Sequence, residues 1–515
     1  MRKRQTFLQG AAILAVTAAL VKVLGAIYKI PLGNLLGDDG FAHFSVSYHI
    51  YTLLLTASVA GLPTALSRLI AKADTEGSNA EMRSLFCSAR NAFLVLGILA
   101  TTVMWFGAEQ LSVWMGDADA ALSIKALAPS IVLVCLMSAY RGYSQGLSDM
   151  IPTSVTQVIE TLGKLIIGMT AVWWLTSNGY GLPEASAGAI FGVTFGSVIA
   201  FLYMVIKVKP PQKTEGKRRS SLGRLLTIGI PITLAACVLS ILAVVDDKLV
   251  LNGLQSIGVY TTEQVMERYG AFSKVQTLFN IPSSFIVPLT ISVIPAIVSR
   301  LTSGNKSAAK SVTETALKLT FLLGLPAGVG LSVLSTQIVN VIYPQIHYEA
   351  ATLLMILGIA SFFSCLTLVT NAVLQAYGYE RVPMITMLFG GVTNAAITYF
   401  TTPILDIRGV AIATIAGYVV ICALNLVILR IKADFHIPAS FLKLLFASAV
   451  MGAAAYFGYY AIERVIPRTI IALGGAIILA VIVYCALVLA LKIITRQDLS
   501  FIPKGEKFAK ILRLK

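Results

Sequence analysis

About fourteen apolar runs, each close to 20 residues long, follow one another along almost the whole of this chain. A 20-residue helix is about 30 Å long, which matches the hydrocarbon thickness of a membrane. Lipid offers the backbone no hydrogen-bond partner, so only helices and closed barrels can span it. The runs are continuously apolar and lack the polar–apolar alternation of barrel strands. The expected fold is therefore an all-α integral membrane protein. Only 12% of the 515 residues are charged, against roughly 25% in soluble domains, and no stretch is left for a separate soluble domain.

The formal net charge of +16 would suit nucleic acid, but its distribution points to a membrane. Most Lys and Arg residues fall on alternate loops, as the positive-inside rule requires. The most basic internal segment runs from Lys207 to Arg224, and the tail from Lys492 to Lys515 is similar. The opposite loops, Gly33 to His43 and Gly107 to Ala120, carry Asp38, Asp39, Glu109, Asp117 and Asp119 without a Lys or Arg. With an even number of spans, both termini are expected in the cytoplasm. The basic segments then set topology and touch anionic membrane lipid, and no nucleic-acid partner is expected. Met1-Arg-Lys-Arg is expected to open an uncleaved first helix, since the apolar run continues past Lys22 and further spans follow. The six cysteines form no CxxC pair and the four histidines no metal-ligand spacing, so neither a metal nor another cofactor is expected.

The chain is built twice. Pro63-Thr-Ala-Leu-Ser67-Arg68-Leu69 returns as Pro295-Ala-Ile-Val-Ser299-Arg300-Leu301, Gln145-Gly returns as Gln375-Ala, and Pro152 as Pro383. All three pairs share an offset of about 230 residues. This divides the chain into an N-lobe of six spans (1–207), a basic cytoplasmic linker (208–221), a C-lobe of six spans (222–431), and two appended spans with a basic tail (432–515). Lobes with an even number of spans have the same orientation, as in transporters built from parallel repeats. Proline and glycine punctuate the spans at Gly61 and Pro63, Gly229 and Pro231, Pro282, Pro288, Pro295, and Gly324 and Pro326, where kinks are expected.

Ionisable residues inside spans are costly and face protein or water. Counted at about 1.5 Å per residue, Lys22 and Lys164 lie about 20 Å up from the inner helix starts, and Lys125 and Lys274 about 9 Å below the outer ones. Lys29 lies higher still, so these lysines gather in the outer half, where they either line a vestibule that suits an anionic ligand or, as is easy for Lys29, Lys125 and Lys274, snorkel to the outer head groups. Lys318 is the exception, near the inner end. Glu160 sits about 15 Å up, one turn before Lys164, and that pair is either a candidate for ion or proton coupling or an internal ion pair that fixes helix packing. Asp246, Asp247 and Arg268 are candidate outer-gate residues, with a solvated helix end as the alternative reading. Arg68 and Arg300, where spans meet the cytoplasm, are topology anchors or inner-gate candidates.

Three phrases carry a family resemblance: Ile30-Pro31-Leu-Gly-Asn-Leu-Leu-Gly37, Gly61-Leu-Pro63-Thr-Ala-Leu-Ser67-Arg68-Leu, and the stretch from Arg141-Gly-Tyr-Ser-Gln145 through Pro152 to Glu160. The chain resembles the stage V sporulation protein B-like branch of the polysaccharide biosynthesis membrane proteins. That branch lies in the multidrug, oligosaccharidyl-lipid and polysaccharide exporter superfamily, beside the lipid II flippases. The resemblance implies fourteen helices in two lobes and transport of an undecaprenyl-pyrophosphate-linked saccharide, lipid II for this branch, from the inner to the outer leaflet of the bacterial cytoplasmic membrane. It also implies basic residues along span 1, which Lys22 matches. At the further basic positions the chain departs: Tyr28-Lys29 replaces a basic–acidic pair, span 2 is neutral near Leu55 and Thr56, and in span 8 the position falls near Thr277, one turn from Lys274.

Lys22, Lys29, Lys125, Lys164 and Lys274 are thus the expected substrate-binding residues, with spans 13 and 14 offering a groove for the polyprenyl tail. An ion gradient or the membrane potential is the expected driving force. Export of another lipid-linked polysaccharide and multidrug efflux are the alternative transport readings, although cationic drugs call for carboxylates where lysines prevail. A non-transporting scaffold is a further alternative. Catalysis is not expected, because the outer loops are short and Asp38-Asp39 and Asp246-Asp247 are the only adjacent acid pairs.

Overall fold

The structure is a computed structural model that describes residues 7–210, 221–347, 349–435 and 440–493. These residues form helices and connecting turns with no strand. Most of the expected linker, 211–220, and the basic tail beyond Ile493 lie outside the described residues. The chain forms two compact units, residues 1–274 and 275–515.

The first unit contains α1 (Phe7–Val59), α2 (Leu62–Thr75), α3 (Asn79–Phe106), α4 (Ala108–Met115), α5 (Ala121–Gly146), α6 (Ile151–Gly163), α7 (Met169–Ser177), α8 (Leu182–Lys207), α9 (Ser221–Ser256) and most of α10 (Thr262–Phe279). Among the described residues, thirteen helical stretches are long and apolar enough to cross a membrane. The first, Val16–Thr75, is 60 residues long, about 90 Å if it were straight. It is instead a hairpin. Gly37 takes φ 69° and ψ −171° inside α1, a backbone geometry open to glycine, and the ring of Tyr28 meets that of Phe44 edge-on at 6.2 Å. On a straight helix those two residues would be about 24 Å apart. The two arms of α1 supply the missing crossing. The stretch from Gly33 to His43, expected as an outer loop, is therefore helix broken at one residue, and Asp38 within it is buried.

Several prolines start helices. Pro63, Pro152, Pro183 and Pro282 occupy the first turns of their helices, where no backbone N–H is needed. Pro63 and Pro282 thus stand at helix starts, whereas Pro231, Pro288, Pro295 and Pro326 lie inside helices.

The second unit holds α11 (Ile281–Thr302), α12 (Lys306–Val333), α13 (Ser335–Ile342), α14 (Ala350–Ala376), α15 (Arg381–Leu405), α16 (Ile407–Ala433), α17 (Phe441–Val465) and α18 (Thr469–Ala490). Its core includes Phe321, Leu366, Val369, Leu374 and Leu429. A buried polar knot locks three of these helices: Asn425 donates to Thr370 Oγ1 (3.0 Å) and Asn371 Oδ1 (2.8 Å) and accepts from Thr386 (2.8 Å). The appended pair α17 and α18 shares a smaller apolar cluster with Leu334, built on Met451, Tyr459 and Leu473. Tyr484 of α18 also donates to the Leu322 carbonyl (2.8 Å).

The sequence repeat recurs as local geometry. The series α3–α4–α5 is long helix, eight-residue helix, long helix, and α12–α13–α14 repeats it. Ser78 and Asn305 cap the first member of each series through their side chains. At the end of α5, Ser148 N–H reaches Gln145 O (2.9 Å) and Asp149 N–H reaches Ser144 O (2.9 Å). At the end of α14, Gly378 N–H reaches Gln375 O (3.0 Å) and Tyr379 N–H reaches Leu374 O (3.0 Å). Both turns pass through a left-handed residue, Ser148 (φ 59°) and Gly378 (φ 84°), the usual way to satisfy a helix's last carbonyls.

Candidate functional site

The helix begun by α6 reaches α7 through one π-helical turn, Lys164–Gly168, a wider turn that recurs at functional sites. Close packing holds this turn against α8: a Cβ on Gly163 would lie 2.4 Å from the Gly196 Cα. Tyr28 ties α1 to the same helix by donating to the Ala189 carbonyl (3.1 Å). In this setting Lys164 Nζ donates to Tyr48 Oη at 3.1 Å and lies 5.3 Å from the centre of its ring. Lys29, from the other arm of α1, brings a second ammonium within 6.0 Å of the same ring. Tyr48 is held by Phe44, stacked at 5.8 Å, and by Tyr51 at 5.8 Å. Among the described residues neither Lys29 nor Lys164 has a carboxylate within ion-pair reach. The half-buried cluster thus combines two cations with an electron-rich ring, an arrangement able to take an anion.

Lys22 sits two turns before Lys29, on the same face of the α1 arm, and is exposed. The other expected binding lysines are neutralised. Lys274 donates to Asp38 at 2.6 Å, with both side chains buried. The cause is local: α10 backs so closely onto α1 that a Cβ on Gly270 would lie 1.8 Å from the Asp38 carbonyl oxygen, and Lys274 projects one turn further along that face. Lys125 pairs with Glu109 at 2.8 Å at the exposed α4 edge. The Lys125 ammonium holds the Glu109 carboxyl below the usual carboxylate range.

The expected Glu160–Lys164 ion pair is not formed. Arg141 takes the Glu160 carboxylate at 2.6 Å and also donates to Thr156 Oγ1 (3.0 Å), while Lys164 turns to Tyr48. Among the candidate gate residues, Asp247 is hydrogen-bonded to His49 of α1 and Asp246 is half-buried beside it. Arg268 stacks its guanidinium on Tyr260 at 3.7 Å and donates to Gln264 O (3.3 Å). Arg68 is exposed on α2, and Arg300, in the last turn of α11, donates to the Ala296 carbonyl at 2.8 Å. The main residues that sequence reasoning missed are Tyr48, Arg141 as an ion-pair partner, His49 and His43. His43 is buried with Asp117 at 2.8 Å. The spacing of Phe44, Tyr48 and Tyr51 on one helical face was the available signal for the first of these.

Residues 7–301, more than half of the chain, match the profile of the polysaccharide biosynthesis protein family. The chain belongs to that family. A second profile, MatE, matches residues 268–400. Three full-length relatives come from Bacillus subtilis (strain 168). The uncharacterized membrane protein YabM is 26% identical, with 99% of this chain and 97% of the relative covered. Stage V sporulation protein B is 24% identical, with 97% and 98% covered. The lipid II flippase MurJ is also 24% identical, with the same coverage. Among solved structures, this polysaccharide biosynthesis family member shares its fold with the lipid II flippase MurJ in an inward closed conformation, at TM-score 0.70 and 17% identity, covering 92% of this chain and 98% of that one. An inward-facing multidrug resistance MATE transporter of the MOP superfamily matches at TM-score 0.66 and 15% identity, covering 81% and 98%. The protein is a multi-pass membrane protein with the MOP transporter fold.

Proposed function

We propose that this protein is a flippase that carries a lipid-linked saccharide from the inner to the outer leaflet of the bacterial cytoplasmic membrane by alternating access of its two repeats, joined at 208–221. The observation that carries the reading is the convergence of Lys29 and Lys164 on Tyr48. Two cations that have no carboxylate partner among the described residues, half-buried in a membrane protein, call for an anion. A phosphoryl oxygen about 4 Å from one ammonium gains on the order of 4 kcal/mol, before desolvation, at an effective dielectric constant near 20. A pyrophosphate linking a polyprenyl chain to a sugar supplies that charge, and lipid II, the undecaprenyl-linked peptidoglycan precursor, is the favoured cargo. The full-length match to the lipid II flippase MurJ supports this choice, as does the match to stage V sporulation protein B through the resemblance read from the sequence. The positive-inside pattern supports cytoplasmic termini.

Multidrug efflux is the second reading, favoured by the MatE match. It fits the site less well, because a cationic drug would meet two lysines and the nearby Glu160 is already held by Arg141. The discriminating experiment is depletion of the protein in cells lacking other lipid II flippases. Loss of outer-leaflet lipid II supports the reading, and unchanged outer-leaflet labelling sinks it.

A further inference from the structure

Two buried or half-buried histidine–carboxylate pairs sit on the second arm of α1, and they differ in their surroundings. His43 lies between Asp117 (2.8 Å) and Asp39 (3.6 Å) with its side chain only 3% exposed. His49 is one residue beyond Tyr48, keeps 33% of its side chain exposed, and bonds through Nδ1 to Asp247 of α9, a largely buried carboxylate. An ionised carboxylate can only accept, so His49 Nδ1 carries the hydrogen and Nε2 is left to take or release a proton.

The charged and titratable groups facing His49 are Asp247 and Asp246 from α9 and Lys29 from the opposite arm of α1, with Tyr269 of α10 beside Asp247. When Nε2 is bare, the pair carries one net negative charge next to the cluster that draws an anion. A proton taken from water at Nε2 makes the pair neutral. We propose that His49–Asp247 is a proton-binding site whose occupancy sets how strongly Lys29 and Lys164 hold an anionic ligand. This inference rests on the reading of that cluster as the site of a lipid-linked pyrophosphate. Linkage makes the effect reciprocal: binding of the anion draws a proton onto His49, and release of the anion returns the proton to water. Affinity is then highest at low pH and falls as pH rises through the titration of His49.

The test uses the full chain in nanodiscs and a polyprenyl-pyrophosphoryl sugar, whose doubly esterified pyrophosphate keeps a constant charge near neutral pH. Binding is followed by calorimetry in two buffers of different protonation enthalpy. The parent is expected to take up a proton on binding and to lose about ten-fold in affinity between about pH 5.5 and 8.5. His49→Gln is expected to bind at the weaker level at every pH, and the double variant H49Q/D247N at the stronger one. Binding by the parent without proton uptake, or an unchanged pH profile in His49→Gln, overturns the proposal. No binding at any pH overturns the pyrophosphate reading instead. The proton site then stands or falls on nitrogen-15 spectra of the four histidines, with His49 assigned from His49→Gln: a transition of its ring across this pH range supports the site, and a single state throughout overturns it.

Discussion

Lys164 and Tyr48 are 116 positions apart in the chain and meet through a 3.1 Å hydrogen bond, with the lysine also lying over the tyrosine ring. The contact joins the π-helical turn to the α1 hairpin, so it couples two irregularities of the fold. Lys164→Ala is expected to lower the rate of glycolipid flipping by about ten-fold or more, since an ammonium facing a phosphoryl group is worth more than a neutral contact. Tyr48→Phe keeps the ring and loses one hydrogen bond, for a smaller effect of about 1 kcal/mol, or roughly five-fold. Tyr48→Ala loses both and falls below Tyr48→Phe. Equal rates in all three variants and the parent would remove the cluster from the mechanism.

Lys274 and Asp38 form a buried pair at 2.6 Å, and removing one partner strands the other's charge. Lys274→Ala or Asp38→Ala should cost about 3–5 kcal/mol of stability, while the apolar double replacement Lys274→Met with Asp38→Leu costs less, because no charge is left behind. Thermal unfolding in detergent orders the three variants. A double variant less stable than both singles would contradict this.

Lys125 and Glu109 make the opposite case, an exposed pair of little energetic weight. Because the Glu109 carboxyl is held below its ordinary range, the pair's stabilising contribution is present above the unfolded-state value and disappears as pH falls through the folded-state value. Lys125→Ala should leave flipping at the parent rate near neutral pH and abolish that small acid-side change in stability. A large loss of transport in this variant would return Lys125 to the binding site.

Gly163 lets α6 approach α8 at the start of the π-helical turn. Gly163→Ala places a Cβ 2.4 Å from the Gly196 Cα, so the turn must shift. The expected cost is about 1–3 kcal/mol, with a fall in flipping at least as large as that of Tyr48→Phe. Normal transport in a folded Gly163→Ala protein would show that the turn does not position Lys164.

The helices and the repeat were legible because apolar length and punctuation are local properties. The Gln145 and Gln375 anchors read from sequence are the residues whose carbonyls close the matched turns after α5 and α14. Partners across the fold were not legible. One-turn spacing pairs Glu160 with Lys164, yet Arg141 and Tyr48 arrive from other helices and take one each. Asp38 reads as a loop residue because Gly37 beside it signals a turn, and its burial against α10 follows from the close approach at Gly270, 232 positions away in a pattern no periodicity reveals. The compact units divide after Lys274, since packing groups α9 with α1 and α2 through contacts such as Gly61 N–H to Thr233 Oγ1 (3.0 Å), whereas the repeat records the order of the sequence.

The most direct test of the central claim is reconstitution of the purified protein in liposomes with fluorescent lipid II, scored by quenching from the outside over time. The expected result is protein-dependent exchange of lipid II between leaflets, faster than in empty liposomes and reduced about ten-fold or more in Lys164→Ala. Exchange no faster than in empty liposomes for lipid II and for other pyrophosphate-linked glycolipids, from a correctly folded protein, would contradict the flippase reading.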